Sequence, residues 1–387
     1  MSGNFKMLAK TLFGFEPILA KELRNLGASN VREGVRNVTF EGDTGFLYKA
    51  NLSLRTALKV YKPIKEFRIS NEKQFYRELF SIDWPSIFDV SQTFAFDTTM
   101  NTELFNNSMF VSLKAKDALV DRFRQDVKER PNVDSQNASV RINIHIYENQ
   151  CTVSLDSSGS SLHQRGYKVE TNIAPINEVL AAGLLLQSGW DGLTNLLDPM
   201  CGSGTFLIEA AMIACNIPAN INREQYAFKN WLDYDEELFL KIVDSSLNKV
   251  REFRYKIIGY DKAPSAVRKA QTNVEHANLD EYISIERKDF FRTEKPTEGK
   301  LHLVCNPPYG ERLNVEMETF YGKIGDTLKQ HYPGTDAWMI TANLEALKHV
   351  GLRPSRKIKT FNGKLESRWV RYEMYEGSKK QKYQNKE

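Results

Sequence analysis

In Asn306-Pro307-Pro308-Tyr309, two oxygen acceptors and an aromatic ring stand within four residues. The Asn306 side-chain carbonyl and the Pro307 main-chain carbonyl can both accept from one planar amino group. Tyr309 offers a flat face on which a ring can stack. Such a clamp suits the exocyclic NH2 of a nucleobase or a side-chain amide. Accepting its hydrogens draws the nitrogen toward a tetrahedral, nucleophilic geometry, and fixed orientation does the rest. Taken as architecture alone, the same four residues are a proline-rich turn that closes a strand.

Three acids precede this clamp, each at the end of a run read as a strand. Asp198 follows Leu196-Leu197 and opens Asp198-Pro199-Met200-Cys201-Gly202-Ser203-Gly204. Glycines let backbone approach a ligand closely, and a helix over 205–215 would present free N–H groups. The loop lacks the third glycine of the dinucleotide fingerprint and the Lys-Ser or Lys-Thr of a phosphate-binding loop. An acid in this position suits a cationic ligand, and S-adenosylmethionine carries both an ammonium and a sulfonium. Asp261 closes a strand read over 255–260, where a carboxylate can accept both ribose hydroxyls. Asp289 closes another over 283–288 and can accept from an adenine amino group. A lone acid after a strand is usually a turn residue. Three in succession ahead of Asn306 form an ordered series. The four cysteines have no Cys-x-x-Cys spacing, so neither a zinc site nor a disulfide framework is expected. Cys201 and Cys305 read as packing residues.

These residues need strands that end together. The run Leu301 to Cys305 is apolar throughout and stops at two prolines, which cannot donate to a ladder. With strands at 196–197, 255–260, 283–288 and 337–341 and helices between them, it predicts an α/β, mostly parallel, doubly wound sheet. Runs 358–361 and 364–375 flank Asn362-Gly363, a hairpin signal, and add an antiparallel end. Ahead of this lie two α+β units. The first, 1–70, has a strand at 5–11, a helix at 16–26, a strand at 35–40, a helix from Asp43 to about 58 and a strand at 60–69. The second, 71–156, has a strand at 93–98, a long helix at 107–128, and an alternating strand at 140–146 paired with 151–155. Residues 157–190 read as a joint and a pocket-side helix opened by Pro175. The catalytic unit follows at 191–377, interrupted by an aromatic, charged insertion at 217–251, and 378–387 forms a basic tail.

Of 387 residues the net charge is +4. From Gly351 onward there are eleven Lys and Arg against four Glu, a net of +7, which leaves −3 for the remainder. The long helix carries Lys114, Lys116 and Arg124 on its polar face, and the joint carries Arg165 and Lys168. All five are candidate RNA contacts, with simple solvation as the plainer reading. No apolar run reaches membrane-spanning length and the start lacks a signal-peptide core, so a reducing cytoplasm is expected.

In order, the motifs are Gly14-Phe15-Glu16, Lys116-Asp117-Ala118, Arg130-Pro131-Asn132-Val133-Asp134, Leu162-His163-Gln164-Arg165-Gly166-Tyr167, Ala174-Pro175-Ile176, the Asp198 loop, and Asn306-Pro307-Pro308-Tyr309-Gly310-Glu311-Arg312. Asn-Pro-Pro-Tyr alone is shared with DNA adenine and protein glutamine methyltransferases. The whole series resembles the THUMP-domain RNA methyltransferases, most closely the RlmL group that methylates guanine N2 in 23S rRNA, over roughly residues 5–375. The resemblance implies a ferredoxin-like region, a THUMP domain and a class I (Rossmann-like) methyltransferase domain, with S-adenosylmethionine as cofactor and no metal. It implies that Asp198, Gly202 and Gly204 line the methionine end, Asp261 the ribose and Asp289 the adenine. It also implies that Asn306, Pro307 and Tyr309 hold the target guanine. The second methyltransferase half of the fused relatives does not follow, so a stand-alone enzyme making one modification is expected. A tRNA guanine-N2 methyltransferase, a DNA adenine-N6 methyltransferase and a non-catalytic RNA-binding assembly factor remain as alternatives.

Overall fold

The computed structural model describes residues 3–171, 175–308 and 314–375. Ala174, Tyr309 and the 378–387 tail lie outside the described residues. Two compact units emerge. The first comprises Met1–Thr11, Leu19–Leu162 and Arg223–Ser245, the second Leu12–Ile18, His163–Asn222 and Ser246–Glu387.

Alternation and capping shape the first unit. Strand β1 (Phe5–Thr11) buries Met7, Ala9 and Thr11 on one face. Helix α1 (Glu16–Leu26) buries Leu19, Ala20 and Leu23. Then come β2 (Ser29–Glu33), β3 (Asn37–Gly42), α2 (Thr44–Ser53) and β4 (Ala57–Arg68). The Asp43 side chain caps α2 by accepting from the Phe46 N–H at 2.8 Å. The chain continues through α3 (Glu72–Phe80), β5 (Thr93–Asn101), α4 (Ser108–Asp126), β6 (Asn132–Val133), β7 (Val140–Tyr147) and β8 (Gln150–Asp156). Sequence periodicity missed β2, an exposed strand without alternating apolar residues, and α3, which buries only Phe75 and Leu79. All eight strands join one sheet in the order β2-β3-β1-β4-β8-β7-β5-β6. Its seam is the antiparallel β4–β8 pair, with Lys62 opposite Leu155. The break expected at residue 70 therefore does not interrupt the sheet.

The second unit is built from α5 (Glu178–Ser188), β9 (Asn195–Asp198), α6 (Thr205–Ala214), β10 (Ile257–Asp261), α8 (Pro264–His276), β11 (Ile283–Arg287), β12 (Leu301–Cys305), α9 (Asn314–His331), β13 (Thr335–Thr341), β14 (Arg356–Asn362) and β15 (Leu365–Glu373), with α7 (Glu236–Leu247) lying between α6 and β10 in the chain. Helix α5 starts later than its proline promised. Asn177 is the cap, accepting from the Leu180 N–H at 3.2 Å, and Pro175 lies ahead of it. The strand order is β11-β10-β9-β12-β13-β15-β14, parallel except for β15, which runs antiparallel to both neighbours. Every residue of β12 is buried, as a strand covered on both faces requires. Strand β9 lies between β10 and β12, so the chain leaves it in opposite directions. That reversal opens a crevice beyond the carboxyl ends of β9 and β12.

The aromatic insertion departs most from expectation. Residues 223–245 pack in the first unit, not with the sheet that flanks them in sequence. Phe228 stacks on Tyr48 with ring centroids 4.6 Å apart, and the Asp235 N–H donates to the Tyr48 hydroxyl at 3.0 Å. Arg223 fastens the entry by donating to the carbonyls of Ser158, Ser160 and Ser161 at 2.8–3.0 Å. No described helix is long and apolar enough to cross a membrane.

Candidate active site

The crevice of the second unit holds a cavity of about 780 Å³. Each wall begins where a parallel strand ends: Asp198 after β9, Asp261 after β10, Asp289 after β11, and Asn306 with Pro307 after β12. Gly202 also lines it, and so do Phe291, Phe320 and, from the β14–β15 hairpin, Asn362 and Leu365. The order read in the sequence is thus an arrangement in space.

The loop after β9 is pinned to β10. The Cys201 N–H donates to the Tyr260 carbonyl at 2.9 Å, and the Gly202 N–H to an Asp261 carboxylate oxygen at 3.1 Å. The other Asp261 oxygen accepts from the Ala263 N–H at 2.9 Å. Each oxygen retains a lone pair for a ligand hydroxyl. Asp289 accepts from the Phe291 N–H at 3.2 Å, which fixes its carboxylate and sets Phe291 beside it. Asp198 is buried and accepts one hydrogen bond, from the Met200 N–H at 3.1 Å. Burial, with Asp261 adding repulsion, pushes the Asp198 carboxyl up to about 8. The Thr205 hydroxyl, also buried on the cavity wall, has no hydrogen-bond partner among the described residues. Burial holds the Cys201 and Cys305 thiols well above their usual range, so neither is poised as a thiolate nucleophile.

Gly204 does not line the cavity. It stands at the α6 N-cap with φ +83°, and a Cβ there would approach the Ala270 side chain at 3.3 Å. Its absent side chain lets the start of α6 approach Ala270 of α8 closely and so positions the loop from behind.

The basic candidates separate. Lys114, Lys116 and Arg124 lie on α4 of the first unit, paired with Glu72 at 2.5 Å, Asp117 at 2.6 Å and Asp121 at 3.2 Å. Such exposed pairs are screened by solvent and yield readily to a phosphate. Arg165 and Lys168 are corrections. The Arg165 side chain is fully buried, with Nε 3.3 Å from Glu209 and Nη1 donating to Asn220 at 3.1 Å. The Tyr167 hydroxyl donates to the same Glu209 carboxylate at 3.0 Å. Lys168 pairs with the buried Glu178 at 2.7 Å. Arg165 is thus turned inward rather than presented on the surface, and half-buried Lys168 is held by Glu178. Sequence reading missed Glu209, although a lone acid inside the apolar α6 stretch TFLIEAAMIA signals a buried charge that needs a partner. Among the described residues, no group of three or more His, Cys, Asp and Glu could hold a metal ion.

Three family models match the chain: an RMKL-like methyltransferase domain over residues 165–371, a THUMP domain over 70–156, and an RlmL ferredoxin-like domain over 6–61. The "Ribosomal RNA large subunit methyltransferase K/L" of Syntrophotalea carbinolica is 37% identical over 392 residues, covering 97% of this chain and 54% of that protein. The chain thus spans about half the length of the K/L relatives it matches. A Synechocystis sp. protein provisionally named an RNA methyltransferase is 36% identical, over 94% of this chain and 95% of its own. Among solved structures, SMU.472, a provisionally assigned methyltransferase complexed with SAH, superposes with a TM-score of 0.86 at 26% identity, covering 98% of this chain and 100% of that one.

Proposed function

The chain belongs to the THUMP-bearing, RMKL-like methyltransferase family, and on that premise we propose that it methylates the exocyclic N2 of a guanine in 23S rRNA. The observation that carries this reading is the convergence of three strand-end acids and the Asn306-Pro307 acceptor pair on one cavity. The K/L relatives, named for the large ribosomal subunit, support rRNA as the polymer. The matched THUMP segment and the α4 cations of the first unit support RNA, free or in a large-subunit precursor, as the partner. The cytoplasm is the compartment this reading implies.

The cofactor we assign is S-adenosylmethionine, which supplies a sulfonium-activated methyl to an incoming nucleophile. The residues present fit it. Asp198 offers a buried carboxylate to a cationic methionine end, and the orphaned Thr205 hydroxyl and Gly202 backbone stand beside it. Asp261 keeps acceptor capacity for ribose hydroxyls, and Asp289, with Phe291 beside it, would hold the adenine. Asn306 and Pro307 accept the two N2 hydrogens and aim the nitrogen lone pair, and the proton lost after transfer passes to solvent. Tyr309 would stack on the guanine, flipped from its helix.

Asp198 also makes cofactor binding pH-dependent. Its folded, ligand-free carboxyl titrates at about 8, so at neutral pH it is largely protonated. A cationic ligand favours the carboxylate and lowers that value, so binding releases a proton and affinity rises with pH. The expected gain between about pH 6 and 7.5 is up to about tenfold per unit. Calorimetry in two buffers of different ionisation heat reads the released proton, and Asp198→Asn should abolish it. A pH-independent affinity for the wild type would contradict the assignment.

The polymer is tested by mass-spectrometric nucleoside mapping of large-subunit rRNA with and without the gene. The expected result is loss of one N2-methylguanosine, restored by the wild-type chain and not by Asn306→Ala. An unchanged rRNA map would reject 23S rRNA and move the search to tRNA guanine.

A further inference from the structure

An acceptor pair that holds an exocyclic amine cannot by itself tell guanine from adenine, because both bases present a planar NH2. The difference lies next to that amine. Guanine adds an N1–H donor and the O6 acceptor, whereas adenine adds the bare N1 acceptor. A reader of guanine must therefore accept and donate side by side, which a carboxamide does.

Among the described lining residues, the carboxamides are Asn306 and Asn362. The three acids stand at the ends of β9, β10 and β11, and Lys288 is paired with Glu286 at 2.8 Å. Asn362 comes from the opposite end of the sheet, as the last residue of β14, directly across from Leu365 of β15. Gly363, at φ +62°, closes the two-residue turn between them. This hairpin end is fastened. Phe361 meets Phe13 edge to face at 5.8 Å, and Glu366 is held by Lys359 at 2.7 Å and Arg368 at 2.8 Å. A polar group on such a support keeps its aim. Leu365, exposed yet lining the cavity, places an apolar surface beside it.

We infer that Asn362 is a specificity-determining residue that reads the N1–H and O6 edge of the target guanine while Asn306 and Pro307 hold its amine. The inference rests on guanine being the target. A site that hydrogen-bonds the edge of its substrate discriminates strongly against an analogue that leaves those groups unpaired.

The test uses the full chain and a large-subunit rRNA fragment carrying the target as guanine or as 2-aminopurine. The latter keeps the exocyclic amine and lacks both N1–H and O6. The wild type is expected to favour guanine in kcat/KM by about 100-fold or more. Asn362→Ala and Asn362→Asp are each expected to bring that ratio to within about fivefold, by losing guanine rather than gaining 2-aminopurine, with Tm and cofactor Kd unchanged. The Asp variant keeps the volume and an acceptor but cannot donate to O6. Retention of the wild-type ratio by either variant overturns the inference. If the wild type methylates no guanine in the fragment, the target assignment itself falls, and that arm reports it separately.

Discussion

Asn306→Ala is expected to slow methyl transfer by about 10³-fold, near 4 kcal/mol of transition-state stabilisation, with cofactor affinity changed less than about twofold. Positive charge develops on N2 only as its bond to the methyl forms. An acceptor aimed at its hydrogens therefore acts more strongly in the transition state than in the ground state. Asn306 can be aimed because it follows a strand buried along its whole length and precedes Pro307, whose φ is fixed by its ring. Single-turnover transfer of a labelled methyl, with calorimetry of the cofactor, separates the two quantities. Asn306→Asp retains an acceptor and should keep more activity than the alanine variant. A loss below tenfold in Asn306→Ala would remove this residue from the chemistry.

The second large effect falls on stability. Arg165→Ala leaves Glu209 buried with its guanidinium partner gone, and breaking such a pair costs about 3–5 kcal/mol. In a unit of this size that lowers Tm by about 10 °C. Chemical denaturation followed by tryptophan fluorescence would read it. Replacing Arg165 and Glu209 together with Met and Leu should recover most of the loss, because no unpaired charge then remains. An Arg165→Ala chain that melts like the wild type but binds RNA more weakly would restore the RNA-contact reading set aside above.

Arg165 shows where a sequence stops being legible. In a polar joint between two units, an arginine reads as surface, and its partner Glu209 lies 44 residues away on an otherwise apolar helix. The strand-end acids were legible for the opposite reason. Strands β9 and β10, like β12, are continuous buried runs, so their ends, and whatever residue stands there, are marked in the chain itself, whereas Asp289 follows the mostly exposed edge strand β11. Asn306 was marked twice, by the end of β12 and by the prolines. Gly204 was legible as a glycine with a reason but not as to which reason, since ligand approach and helix packing leave the same signature. Asn362 was legible only as half of a turn, because nothing local reports that its hairpin reaches the cavity. The β4–β8 seam likewise joins segments about 90 residues apart, and no short-range pattern encodes that pairing.

The return of residues 223–245 to the first unit sets an order of events during synthesis. A chain leaving the ribosome completes β8 at residue 156, and at that point the eight-stranded sheet has all its strands. Tyr48 still waits for Phe228, and the serine carbonyls at 158–161 for Arg223. At about 5–20 residues per second, the missing plug arrives several seconds later. By then β9 and α6 of the catalytic half have already emerged. The N-terminal half thus cannot finish before its neighbour has begun, and a fragment cut at residue 162, however natural that boundary looks, ends before its own core is filled.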